Sequence, residues 1–124
     1  ADHDTVLDTT NFQRQVVADE GVWVVKFHSP RCGTCQEFAP VWGKFAGKVG
    51  AKARFGVVDI DTKDGMALAK QLSALEDGIP SVRVFKMSAD SEGVLLWADW
   101  EIPKASFLVE QLQAEVGEQL SGGR

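Results

Sequence analysis

The sequence predicts an α/β fold, a mixed central β-sheet flanked by helices on both faces, in the order β-α-β-α-β-α-β-β-α. Three observations carry this. Val22–Phe27 and Phe55–Ile60 are rich in β-branched and aromatic residues and are largely apolar on both alternating faces, as strands covered on each side must be. Between and after them lie segments whose apolar residues recur at helical spacing. The chain then closes on two further strand-like runs and a last helical pattern.

Each element follows from its residues. Thr5-Val6-Leu7 is a short strand, and Thr9, Thr10 or Asn11 is placed to cap a first helix running to about Ala18, ended by Gly21. Val22–His28 is the first central strand, interrupted in its apolar character only at Lys26 and His28. Ser29-Pro30-Arg31 breaks it. From Cys32 or Gly33 a helix begins, with Phe38, Val41, Trp42, Phe45 and Val49 on one face. Pro40 lies inside it, where it removes a backbone donor and is expected to kink it. Gly50 is the stop. After the strand Phe55–Ile60, a third helix is expected over Met66–Leu75, with Leu68, Leu72 and Leu75 facing the core. A turn, Glu76–Pro80, leads to Ser81–Lys86 and Gly93–Ala98, a hairpin joined by the polar loop Met87–Glu92. Pro103 is suited to the first turn of the last helix, which carries Phe107, Leu108, Leu112 and Val116.

Composition bounds the function. The chain has 124 residues, 44% hydrophobic and 25% charged, with a formal net charge of −5. That length supports one domain with a real core, read as residues 1–120 with a polar tail at 121–124. Mild acidity argues against a nucleic-acid partner, which calls for a basic stripe. No purely apolar run, Val22 to Val25 among them, approaches the length needed to span a membrane. The chain starts at Ala1 without an initiator methionine and is read as a mature or excised, monomeric domain of a larger protein.

The chemistry concentrates in Cys32-Gly33-Thr34-Cys35, between a buried strand and a helix start. A cysteine at the exposed amino-terminal end of a helix has its thiolate stabilised by unpaired backbone amides and the helix dipole. Cys35 sits one turn deeper, within reach of the Cys32 sulfur, and Arg31 adds a positive charge that favours the thiolate. An exposed attacker and a shielded resolving thiol are what dithiol–disulfide exchange requires. Two other readings stay open. A structural bridge this short constrains the unfolded chain little. Half a zinc site would need His3 and His28 as the remaining ligands. Asp59, Asp61 and Asp64 lack the glycine and terminal glutamate of a calcium loop and read as strand-end and helix-cap carboxylates, so no metal site is assigned.

The stretch from Val24 through Cys32-Gly33-Thr34-Cys35 to Ala39-Pro40-Val41-Trp42 resembles the active-site segment of the thioredoxin superfamily, most of all a catalytic domain of protein disulfide isomerases. Gly78-Ile79-Pro80-Ser81 resembles the family's cis-proline loop, and Val57-Val58-Asp59 its strand ending in aspartate. The resemblance runs from about Thr5 to Leu112. It implies a thioredoxin-like fold, Cys32 as nucleophile, Cys35 as resolving cysteine, and a cis Pro80 against the disulfide. It further implies that the Ile79 backbone binds an extended substrate peptide by strand addition. The expected activity is thiol–disulfide exchange on cysteine-containing protein or peptide substrates, as oxidase or isomerase, with no metal or organic cofactor. Glutathione or an upstream oxidase is a possible redox partner. The expected compartment is the endoplasmic reticulum lumen or secretory pathway, with the cytoplasm as alternative. The rival readings are a thioredoxin-type reductase and a thioredoxin-fold binding module with slow cysteines.

Several residues depart from the family's pattern and mark candidate tuning sites. Lys26 stands where the family usually has a buried acid. It has three possible fates: a neutral base, an ammonium holding a thiolate, or a side chain that snorkels to the surface. His28 replaces an aromatic residue and is either a tuning group or an ordinary strand-end histidine. Arg31 replaces a Trp before the first cysteine, Gln36 a Lys after the second, and Thr34 the His or Pro between them, next to Gly33. Trp97 and Trp100 flank Asp99; core packing is expected for each, the alternative being one in the core and the other at the rim, where an exposed aromatic beside the site would suit peptide binding.

Overall fold

A computed structural model describes residues 4–86 and 92–120. Five strands form one sheet in the order β1-β3-β2-β4-β5, with β1 at Thr5–Val6, β2 at Trp23–His28, β3 at Arg54–Asp59, β4 at Ser81–Phe85 and β5 at Val94–Ala98. β1, β3 and β2 are mutually parallel; β4 runs antiparallel to β2, and β5 antiparallel to β4. Three helices accompany the sheet: α1 at Gly33–Val49, α2 at Lys63–Gln71 and α3 at Ala105–Val116.

Strand alternation divides the core into two layers. On one face, Val22 and Val24 pack with Phe38, Trp42 and Phe45 of α1 and with Leu108 and Leu112 of α3. On the other, Trp23, Val25 and Phe27 pack with Leu68 of α2. Lys26 has the same parity as Val24, so the pleat directs it to the α1 and α3 side. That layer is aromatic-rich: Phe38 stacks on Trp97 with ring centres 4.6 Å apart, and Trp42 meets Phe55 edge-on at 5.3 Å.

The structure revises several boundaries. The first helix is only a five-residue π-type turn, Gln13–Val17, without a side-chain cap. The candidate caps are committed elsewhere: Asn11 Oδ1 accepts from the Asp8 amide and Asn11 Nδ2 donates to the Val6 carbonyl, and the Thr10 amide donates to Asp8. α2 begins at Lys63 rather than Met66 because Thr62 Oγ1 accepts from the Gly65 amide at 3.0 Å and caps it there. It ends at Gln71, and Leu75 falls in a separate 3₁₀ turn, Ala74–Asp77. α3 starts at Ala105 after an extended Lys104, so Pro103 precedes the helix instead of opening it. α1 runs through Pro40 and stops at Gly50, whose φ of 65° suits a glycine. Of the expected hairpin loop, residues 87–91 lie outside the described residues.

Candidate functional site

The loop from β2 into α1 is braced from the neighbouring β3–α2 loop. Ser29 Oγ donates to Asp61 Oδ2 at 2.6 Å and itself accepts the Arg31 amide at 3.1 Å. The Cys32 amide then donates to the Ser29 carbonyl, and Gln36 Nε2 donates to the Pro30 carbonyl at 2.8 Å. Asp61 also pairs with Arg31 Nε at 3.3 Å. The positive charge expected to favour the Cys32 thiolate is therefore met by a carboxylate of its own. The Ser29 hydroxyl, followed by Arg31, holds the Asp61 carboxyl below the usual carboxylate range.

This brace presents Cys32 as the N-cap of α1, in extended backbone conformation, with its Sγ accepting the Cys35 amide at 3.1 Å. The sulfur thus occupies the position a serine or aspartate oxygen takes in an ordinary cap, at the positive end of the helix. Cys32 is half-buried and Cys35 is buried, and both are free thiols. Burial, and then the hydrogen bond with Cys32, push the Cys35 thiol from an ordinary 9.0 up to about 11; a backbone hydrogen bond from Ser29 and the charge of Lys26 act the other way. Gly33 has open space where a Cβ would stand, so packing does not demand glycine there.

Lys26 does not snorkel. It is 6% exposed, with Nζ 5.2 Å from the centre of the Trp42 ring. The Trp42 indole Nε1 donates in turn to the Asp4 carboxylate, at 3.0 Å to Oδ1 and 3.1 Å to Oδ2. Burial lowers the Lys26 ammonium from its usual value, opposed by the charges of Asp4 and Cys35. His28 is also lowered, first by burial and then by Lys26, against the pull of Asp59, Asp4 and Asp61. A histidine shifted down from 6.5 is neutral at pH 7.

The second half of the site comes from the turn before β4. The Ile79–Pro80 peptide bond is cis, after Gly78 at φ 79°. Thr34, Ile79 and Pro80 line a groove of about 460 Å³ that Asp77, Asp99 and Trp100 line as well. The turn is anchored by the buried Arg83 of β4. Its Nε donates to Asp77 Oδ2 at 2.9 Å, and its Nη atoms donate to the carbonyls of Leu72, Ser73 and Glu92. The two tryptophans part company: Trp97 is core and Trp100 is 93% exposed, the division between core and rim rather than core packing for both.

The cysteines, Thr34, Ile79 and Pro80 thus converge at one end of the sheet. Asp4, Asp61 and Arg83 were not singled out in the sequence for these roles. Of the three, Arg83 carried a signal: a lone cation between the apolar residues Val82 and Val84. Among the described residues, no three potential ligands cluster to hold a metal ion; His3 lies outside the described residues.

Comparison with known proteins agrees with this geometry. The thioredoxin family model matches residues 4–95. The chain is 31% identical over 110 residues to protein disulfide isomerase-like 2-3 of Oryza sativa subsp. japonica, covering 87% of this chain and 24% of that protein. It is 33% identical over 84 residues to protein disulfide-isomerase A6 of Mus musculus, covering 66% of this chain and 18% of that protein. It therefore spans about a quarter or less of the length of these relatives. The crystal structure of the Trx4 domain of ERdj5 shares the fold, with a TM-score of 0.65 at 24% identity, covering 94% of this chain and 97% of that one.

Proposed function

The chain belongs to the thioredoxin family, and we propose that it is a thiol–disulfide oxidoreductase acting on cysteine-containing proteins or peptides as oxidase or isomerase. The observation that carries this reading is the placement of the two sulfurs. Cys32 Sγ is a half-buried helix cap held by the Cys35 amide, and Cys35 is buried one turn deeper.

In the oxidising direction, a substrate thiolate attacks Cys32 Sγ of the Cys32–Cys35 disulfide. The sulfur–sulfur bond breaks, Cys35 leaves as a thiolate and takes up a proton, and Cys32 is joined to the substrate. A second substrate thiolate then attacks the substrate sulfur of this mixed disulfide, and Cys32 departs as a thiolate. The substrate gains a disulfide and the domain is left as the dithiol. In isomerisation, the Cys32 thiolate attacks a substrate disulfide, and a deprotonated Cys35 resolves any adduct that does not rearrange.

The neighbours fit these steps. Helix α1 offers its positive end to Cys32 as leaving group and nucleophile. The buried Lys26 ammonium favours the departing Cys35 thiolate, and Asp4, through Trp42, is the opposing negative charge. Gly33 and Thr34 lie between the two cysteines, the Asp61-paired Arg31 precedes them, and neutral His28 ends β2 just before this loop. Ile79 and Pro80 form the strip against which an extended substrate lies, the Ile79 backbone pairing with it as an added strand. The exchange calls for no metal or organic cofactor; glutathione or an upstream oxidase restores the disulfide. An oxidising compartment, the endoplasmic reticulum lumen or secretory pathway, suits this direction. The low coverage of the relatives supports a place within a larger protein.

Trapping tests the reading. A Cys35→Ser variant is expected to accumulate a mixed disulfide with a disulfide-containing client, seen on non-reducing gels, while Cys32→Ser accumulates none. Equal or absent adducts in both variants contradict it and favour a binding module with slow cysteines.

A further inference from the structure

The groove beside the cysteines carries a chemical bias. Trp100 leaves 93% of its surface in water, an unusual state for the largest apolar side chain. It stands just past the end of β5, and it lines the same groove as Thr34, Ile79 and Pro80. A peptide lying against the Pro80 strip therefore passes an open indole face. Among the described residues, the lining also contains two carboxylates, Asp77 and Asp99, and no basic side chain. Asp77 is already neutralised by Arg83 at 2.9 Å. Asp99 is exposed, and its Oδ1 accepts the Trp100 amide at 2.6 Å. That bond fixes the indole's backbone beside the carboxylate and leaves the second oxygen free of that contact. Exposed Glu101 follows directly.

A tryptophan face binds a cation better than any other aromatic ring, and an adjacent carboxylate adds attraction of the same sign. We propose that this groove selects substrates in which a lysine or arginine flanks the reacting cysteine, the cation lying on Trp100 with Asp99 as its counter-ion. The inference rests on the thiol–disulfide reading and names the substrate class for that site. A flanking glutamate meets repulsion from Asp99, and a flanking leucine meets the indole without the charge.

The test separates recognition from chemistry. Fluorescent peptides with serine at the cysteine position and lysine, leucine or glutamate beside it are titrated into the Cys32→Ala/Cys35→Ala protein and followed by anisotropy. The lysine peptide is expected to bind about 10-fold more tightly than the glutamate peptide at low salt, with the ratio shrinking at 0.5 M salt, where exposed charges are screened at roughly 4 Å. Trp100→Ala, which removes an exposed side chain and leaves the core intact, and Asp99→Asn are each expected to bring the ratio below about 3-fold. Equal binding of the three peptides, tightest binding of the leucine peptide, or a lysine preference that survives Trp100→Ala overturns the proposal. Wild-type turnover of the matching disulfide peptides is measured in parallel. A lysine preference without any turnover contradicts the thiol–disulfide reading alone, and turnover without the preference contradicts this inference alone.

Discussion

Lys26 holds its ammonium 5.2 Å from the centre of the Trp42 ring, inside the layer between the sheet and α1. Strand parity puts it there, and the indole face and the Asp4 carboxylate beyond it are the compensation the site provides. Desolvating an ammonium costs more than such partners fully return. Lys26→Met, which keeps the shape and removes the charge, is therefore expected to raise stability by about 1 kcal/mol at neutral pH. The folded-state pKa of Lys26 lies below the 10.5 of the unfolded chain, so between the two values the unfolded state binds more protons. Wild-type stability gains from this group as pH rises towards 10.5, and the advantage of Lys26→Met shrinks over the same range. Urea titrations of both proteins at pH 7 and pH 10 read this directly.

Cys35 titrates with the opposite sign. Its folded value of about 11 lies above the ordinary 9.0, so the folded state holds the proton longer. Relative to the oxidised protein, which lacks this proton, the reduced protein is expected to lose stability as pH rises from 9 through 11. Lys26→Met removes a charge that favours the thiolate and steepens the loss. At neutral pH the same shift leaves Cys35 with roughly 100-fold less thiolate than an ordinary cysteine. Iodoacetamide is thus expected to modify Cys32 first by a wide margin, measured by mass spectrometry of timed, quenched samples.

Arg83 ties the carbonyls of Leu72, Ser73 and Glu92 and the Asp77 carboxylate to β4, directly before the proline turn. Removing one partner of a buried pair leaves the other charge and several acceptors unanswered. Arg83→Ala is expected to cost about 3–5 kcal/mol by chemical denaturation. Arg83→Lys, which keeps the charge without the planar fork, should recover part of it. Of the two, the lysine variant is the one that stays folded enough to show a raised KM for peptide substrates, through a loosened Ile79–Pro80 strip. An unchanged KM in Arg83→Lys contradicts a positioning role.

The sequence made the fold legible where the pattern is strongest. Val22–Phe27 and Phe55–Val58, apolar on both faces, could only be central strands, and the Phe38–Val49 stripe could only be a helix face. It failed where polar residues have more than one use. Asn11 and Thr10 look like helix caps and instead knit a turn with Asp8 and Val6. Thr62, which does cap a helix, sits behind two charged residues that hide the helix start. The cysteine pair and Pro80 stand out in the chain because their spacing is local. Asp4 and Asp61 do not, because the groups they hold, Trp42 and Ser29, are distant in sequence. Whether Lys26 stays buried or reaches water was not legible either, since that depends on what α1 lays over it.

The central claim is that Cys32 and Cys35 form a reversible dithiol–disulfide couple. The direct measurement is their equilibrium redox state in a series of glutathione buffers, read by alkylation and mass. A potential of about −180 mV is the predicted result for an oxidase or isomerase, and one of about −270 mV would turn the electron flow towards a reductase. A pair that never equilibrates with glutathione would contradict the claim itself.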